Sequence, residues 1–262
     1  MSGPYLTMAA YRAALARLAA RDLLLVRYVA ELRFVSGEQL ARLCFEGTTP
    51  HAARQGLLRL TRLDVLARLP RPVGGVRAGS AGFVYCLGPV GQRLAIERGW
   101  LPERRTRRPL APGTLFVHHA LMVSELHVRL IEADRRGDYE LLTLQSEPAC
   151  WRKGGSLTLK PDSYLRLGFT DFEDSYFVEV DRGTEGSRTI ERQLGLYCDY
   201  YRSGREQAEQ GVFPRVLWLV PDERREGTIA DSMERLQGER DLFVVVPFDN
   251  ALEALASPPS MT

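Results

Sequence analysis

The chain has 262 residues, 45% of them hydrophobic, which suits two modest globular domains and excludes a disordered chain. Its formal net charge of +2 hides a division: residues 1–108 carry 18 Arg, no Lys and 7 acids, a net of +11, whereas residues 109–262 carry a net of −9. Such asymmetry suggests that the first half meets a polyanion such as nucleic acid, and that the second is built for something else.

From residue 7 to residue 32 apolar side chains recur at helical spacing, with Leu15, Leu18, Leu25, Val29 and Leu32 prominent, which predicts one or two helices. Ser36 followed three residues later by Gln39 is a capping box that opens a short helix to Cys44. Thr49-Pro50 starts another, because Thr caps and Pro tolerates the first helical position; it runs to about Leu63. Residues 65–69 and 83–87 read as a β-hairpin around a tip rich in Gly, Pro and Arg, and residues 89–98 as one more helix. This is the element order of a winged helix-turn-helix. The helix of residues 51–62 would bury Ala53, Leu57 and Leu60 and present Arg54, Gln55, Arg59 and Arg62, side chains that reach base edges and phosphates. Arg71 and Arg77 flank the tip of the wing, where a phosphate backbone or minor groove would lie. The expected domain is residues 1–100, followed by an Arg- and Pro-rich linker over residues 101–113.

In the acidic half, Thr114 caps a helix to about Arg136, and strands are predicted over residues 139–145, 157–167 and 175–181. A helix over residues 186–201, a strand at 215–220, a helix at 229–237 and a strand at 242–246 complete the order αβββαβαβ. That order implies an α/β domain over residues 114–250 with a mixed sheet, three strands as a meander and the rest added through helical crossovers; residues 251–262 are left as a tail.

Lys160-Pro161-Asp162 falls in the second of these strands and Glu179-Val180-Asp181 ends the third. Strand alternation puts Glu179 and Asp181 on one face, and a neighbouring strand can place Asp162 beside Glu179. Convergent carboxylates suit a hard cation, Mg²⁺ or Mn²⁺, which binds through one or two carboxylates plus water and phosphate oxygens, and Asp162, Glu179 and Asp181 are the candidate ligands. Lys160, two residues before Asp162 in the same predicted strand, is one of only two lysines and is expected to face the acids. His118, His119, Glu125 and Glu147 are further candidates, each with a plainer surface, core or capping alternative; Arg182, Arg188 and Arg192 could hold phosphates or pair with Glu185 and Glu191. The four cysteines form no CxxC pair and read as buried thiols. No apolar run approaches the roughly 18 residues that span a bilayer, and no GxSxG or GxxxxGK[ST] motif occurs. With no secretory signal legible, a cytoplasmic location without membrane partners is expected.

These residues resemble two families. Pro161-Asp162 and Glu179 are similar to the PD and (D/E) of the PD-(D/E)XK nuclease superfamily, whose core order is also αβββαβ. The resemblance implies a restriction-endonuclease-like fold with Asp162 and Glu179 on the catalytic metal, and Gln193 and Tyr197, at QxxxY spacing, as the extra motif of the RecB-like branch. It departs at the lysine, where this chain has Asp181; Lys160 is the candidate substitute cation. Over nearly the whole chain, LGPVG (residues 87–91), His118-His119, KPD (160–162) and EVDRGTE (179–185) resemble the replication-relaxation family of plasmids and integrative elements. That resemblance implies a protein acting on double-stranded DNA in a bacterial mobile element, as a homodimer or beside other replication or transfer proteins. Metal-dependent nicking or cleavage is the favoured expectation. The alternative is a non-catalytic regulator or initiator whose nuclease-like domain serves dimerisation or partner docking.

Overall fold

The computed structural model describes residues 6–69, 82–103, 112–154, 157–236 and 239–256. The chain folds as two compact units, Met1–Val128 and Arg129–Thr262.

In the first unit, α1 (Met8–Leu15) and α2 (Ala20–Leu32) lead into the short strand β1 (Val35–Ser36), then α3 (Gly37–Cys44) and α4 (Pro50–Arg62). Both predicted helix starts hold. Ser36 Oγ accepts from Gln39 N at 3.1 Å while Gln39 Oε1 accepts from Ser36 N at 2.9 Å, and Thr49 Oγ1 accepts from Ala52 N at 3.2 Å. Each bond satisfies a backbone N–H that the first turn of a helix cannot pair internally. Strands β2 (Leu66–Arg68) and β3 (Val84–Leu87) pair antiparallel, β1 joins the other edge of β3, and α5 (Pro89–Glu97) follows. The predicted wing tip with Arg71 and Arg77, and the linker arginines from Arg104 onward, lie outside the described residues. Helix α6 (Thr114–Arg136) was expected to open the second domain, but its first half packs within the first unit. Ser124 Oγ donates to the Phe34 carbonyl at 2.7 Å, Gln39 Nε2 donates to the Leu121 carbonyl at 3.0 Å, and Arg42 pairs with Glu125 at 2.7 Å.

The second unit is built on a five-stranded mixed sheet in the order β10-β9-β8-β7-β4. Strands β4 (Glu140–Ser146), β7 (Ser163–Gly168) and β8 (Glu173–Val180) form the antiparallel meander; β9 (Arg215–Val220) and β10 (Phe243–Pro247) are added in parallel. Helices α7 (Ser187–Arg202) and α9 (Glu223–Met233) lie in the crossovers, with the short α8 (Arg205–Gln210) after α7 and α10 (Ala251–Ala256) in the expected tail. Ile190, Leu194 and Tyr197 of α7 and Ile229 and Met233 of α9 bury against Phe177, Val216, Trp218 and Val220, all on one face of the sheet. Each such side chain contributes about 1.5–3 kcal/mol on burial. Helix α9 begins earlier than the apolar pattern indicated because Asp222 caps it, accepting from Arg225 N at 2.9 Å.

One predicted strand is two. Residues 157–167 divide into β6 (Leu157–Leu159), paired with β5 (Arg152–Gly154) in a separate ribbon, and β7 in the main sheet. The division falls at Lys160-Pro161-Asp162, where Pro161 has no N–H for a ladder and the chain changes sheets. All four cysteines are buried and none is in a disulfide, and no helix among the described residues is long and apolar enough to cross a membrane.

Candidate functional site

Strand register brings the first two acids together. Ser163 stands opposite Val178, so the next pair along the antiparallel ladder is Asp162 and Glu179. Asp162 is anchored at both ends of its residue: its N–H donates to the Val178 carbonyl at 3.0 Å and its Oδ2 accepts from Val180 N at 2.8 Å. Glu179 follows Phe177 by two residues and therefore points to the face covered by α7. There Tyr197 Oη donates to Glu179 Oε1 at 2.5 Å, and the Gln193 side chain hydrogen-bonds the same carboxylate. The two helix residues are four apart and thus share a face of α7.

Asp162 and Glu179 are only 8% and 6% exposed, so water does little to stabilise their charges. Burial pushes the Glu179 carboxyl well above the usual carboxylate range, and the neighbouring Asp162 charge adds to the rise; Tyr197 and Gln193 oppose it by hydrogen-bonding the carboxylate. Burial, then the Glu179 charge, likewise drives the Tyr197 phenol far above its ordinary value, which leaves it a neutral donor. Two buried carboxyl groups thus stand side by side on adjacent strands. Their oxygen donors fit a hard divalent cation that keeps water or phosphate in its other positions.

Asp181 was expected as a third ligand, and it is turned elsewhere. Its Oδ1 accepts from Gly183 N at 2.8 Å, and its Oδ2 pairs with the Arg225 guanidinium of α9. Among the described residues no group of three or more His, Cys, Asp and Glu is gathered so as to hold a metal ion. Lys160 is also placed otherwise than expected. It lies where the predicted strand divides rather than sharing a strand with Asp162, and its ammonium lies 4.8 Å from the centre of the Trp151 ring, a cation–π contact. Arg225 is the residue that sequence reasoning missed, and nothing in its local sequence separates it from the neighbouring Arg224.

The other candidates are dispersed. Glu125 pairs with Arg42 and accepts from Gln39 in the first unit, where His118 is exposed on α6. Burial pushes the His127 imidazole down to about 3. Glu147 follows the end of β4, next to Ser146, which stands opposite Ser163. Arg188 and Arg192 are exposed on α7, and Glu191 pairs with Arg235 at 2.5 Å instead of with either. On α4, Arg54, Gln55 and Arg62 are exposed as expected. Arg59 is occupied: its Nη2 donates to both oxygens of the fully buried Asp22, at 2.6 and 2.7 Å, and its Nη1 to the Arg17 carbonyl at 2.9 Å.

A mixed sheet with a buried acid pair clamped by a Gln-x-x-x-Tyr helix is thus the centre of the second unit. The sequence model of the replication-relaxation family matches residues 26–216, and the chain belongs to that family. Among solved structures it is similar to restriction endonuclease FokI, with 12% identity and a TM-score of 0.27 over 97% of this chain and 45% of that one. The chain therefore spans less than half the length of that endonuclease. No curated protein matches it.

Proposed function

We propose that this replication-relaxation protein docks on double-stranded DNA through a winged helix-turn-helix and nicks it at a PD-(D/E)XK-like site, in the service of a plasmid or integrative element. The observation that carries the catalytic part is the buried Asp162–Glu179 pair held by Tyr197 and Gln193. A bound Mg²⁺ would supply Lewis-acid stabilisation of the phosphodiester and lower the pKa of a water. The chain's own contribution is to hold that cation through Asp162 and Glu179. The Val180 N–H fixes the rotamer of Asp162 and the Tyr197 hydroxyl fixes that of Glu179. Support for the docking part comes from α3, α4 and the β2–β3 hairpin standing in winged-helix order, with Arg54, Gln55 and Arg62 exposed on α4.

A second reading has its own support. The position of the signature lysine holds Asp181, whose carboxylate is paired with Arg225, and the Lys160 ammonium packs on Trp151. In that reading the protein is a DNA-binding regulator or initiator whose second unit serves dimerisation or partner docking.

Incubating supercoiled plasmid with Mg²⁺ or Mn²⁺ separates the two. Wild-type protein is expected to give open circles and Asp162→Ala to give none, whereas binding without nicking by either protein establishes the regulator. In the same preparations, Arg54→Ala is expected to weaken DNA binding and flatten its salt dependence without lowering Tm. Arg59→Ala is expected to lower Tm by stranding the buried Asp22 carboxylate, at a cost of about 1–3 kcal/mol.

A further inference from the structure

The Arg225 guanidinium bonds the loop between β8 and α7 at two points. Arg225 pairs through Nε with Asp181 Oδ2, and its Nη2 donates to the Glu185 carbonyl at 2.9 Å. Asp181 also holds the Gly183 N–H at 2.8 Å, and Gly183 sits in the left-handed region at φ 74°, which makes a tight turn. The ion pair is almost dry, the Arg225 side chain being 12% exposed and that of Asp181 3%. Helix α7 begins immediately after this loop, and its N-cap, Gly186, has no side chain to bond the first turn. A glycine N-cap supplies no side-chain oxygen, so the first-turn N–H groups of α7 gain no side-chain acceptor from it. Here the strand end, the loop and α9 are tied together one residue before that cap.

We propose that Arg225 is a positioning residue: by bridging Asp181 to the Glu185 carbonyl it fixes where α7 begins, and so sets Gln193 and Tyr197 against Glu179. The acid at position 181 then has a role that lysine could not fill, because a lysine there would repel Arg225 instead of holding it. The effect on the site is indirect. Gln193 and Tyr197 stand on the second and third turns of α7, and a shift of the helix start moves both donors relative to the carboxylate. Groups that orient a metal ligand from outside the ligand shell typically contribute 10- to 100-fold in affinity.

The functional half of this inference rests on Asp162 and Glu179 being the cation pair, and the test keeps the two apart. Amide hydrogen exchange and calorimetric Mn²⁺ binding are measured on wild type, Arg225→Lys and Arg225→Ala, with Asp181→Asn as a second variant should the alanine protein not fold. Arg225→Ala is expected to speed exchange over residues 190–194 at least about 10-fold and to weaken Mn²⁺ binding about 10- to 100-fold. Arg225→Lys, which keeps the charge but loses the fork, is expected to fall between. Exchange in β9 stays unchanged. Unaltered exchange over residues 190–194 overturns the proposal, and so does faster exchange with unchanged Mn²⁺ affinity, which reduces the bridge to a brace for the fold. If the wild type takes up no Mn²⁺, the cation-pair reading fails on its own, and the exchange measurement alone decides whether Arg225 sets α7.

Discussion

Glu179→Gln is expected to raise the thermal stability of the second unit at pH 7 to 8 while removing divalent-cation binding. The sign follows from the direction of the shift. Burial and the Asp162 charge raise the native-state proton affinity of Glu179 above that of an unfolded carboxyl, which titrates near about 4.3. Its favourable contribution is present in full below that value, and it is lost as pH rises through the elevated native value, because the folded protein must then hold a buried charge. Glutamine keeps an oxygen to accept from Tyr197 and carries no charge, so the decline with pH should disappear. Under the proposed cation role, function and stability oppose each other at this residue. A Tm for Glu179→Gln below that of wild type at pH 8 would show that another group already compensates the charge.

The second large effect lies in the first unit. A Cβ built on Gly91 would stand 2.2 Å from the Val65 carbonyl oxygen, and one on Gly88 would stand 2.3 Å from that of Asp64. Both obstructions are backbone, fixed by the β2–β3 pairing and by the bonds from Gly88 N to the Val65 carbonyl and from Val90 N to the Asp64 carbonyl, at 2.9 and 3.0 Å. No rotamer change can relieve such clashes. Gly91→Ala is expected to destabilise the first unit by about 3–5 kcal/mol, at the upper end of single-residue effects, a fall in Tm on the order of 10 °C. Gly195→Ala serves as the control. Nothing lies within 4 Å of that position, and in the interior of α7 alanine should stabilise by up to about 1 kcal/mol. Equal Tm values for the two variants would contradict the close-approach account.

Much of the fold could be read directly because its signals are local. Ser36 with Gln39, and Thr49 with Pro50, announce helix starts through bonds that span three residues. The meander and parallel crossovers follow from the order of periodic segments. Gly88 and Gly91 were visible as LGPVG, but their cause, the backbone of residues 64–66, is not local. Pro161 carries the signal that divides residues 157–167, because a proline is not accommodated inside a central strand.

The site was legible where covalent geometry sufficed. The spacing of Gln193 and Tyr197 put them on one helix face, and both bond Glu179. It was illegible where a charged side chain chose between distant partners. Strand alternation places Asp181 on the face of Glu179, yet only the folded chain brings Arg225 to it. Arg59 looks like its neighbours on α4 until Asp22 is found buried beneath it. In both cases a buried carboxylate captured the nearest guanidinium, since an unpaired buried charge costs more than an exposed arginine gains.

The most direct measurement is calorimetric titration of the metal-free protein with Mn²⁺, for wild type and Asp162→Ala. One site per chain is predicted in the wild type. Its affinity should rise with pH, because binding displaces a proton that Glu179 holds above the usual carboxylate range, and it should be lost in Asp162→Ala. Absence of binding in the wild type, or equal binding by Asp162→Ala, would contradict a cation site made of Asp162 and Glu179.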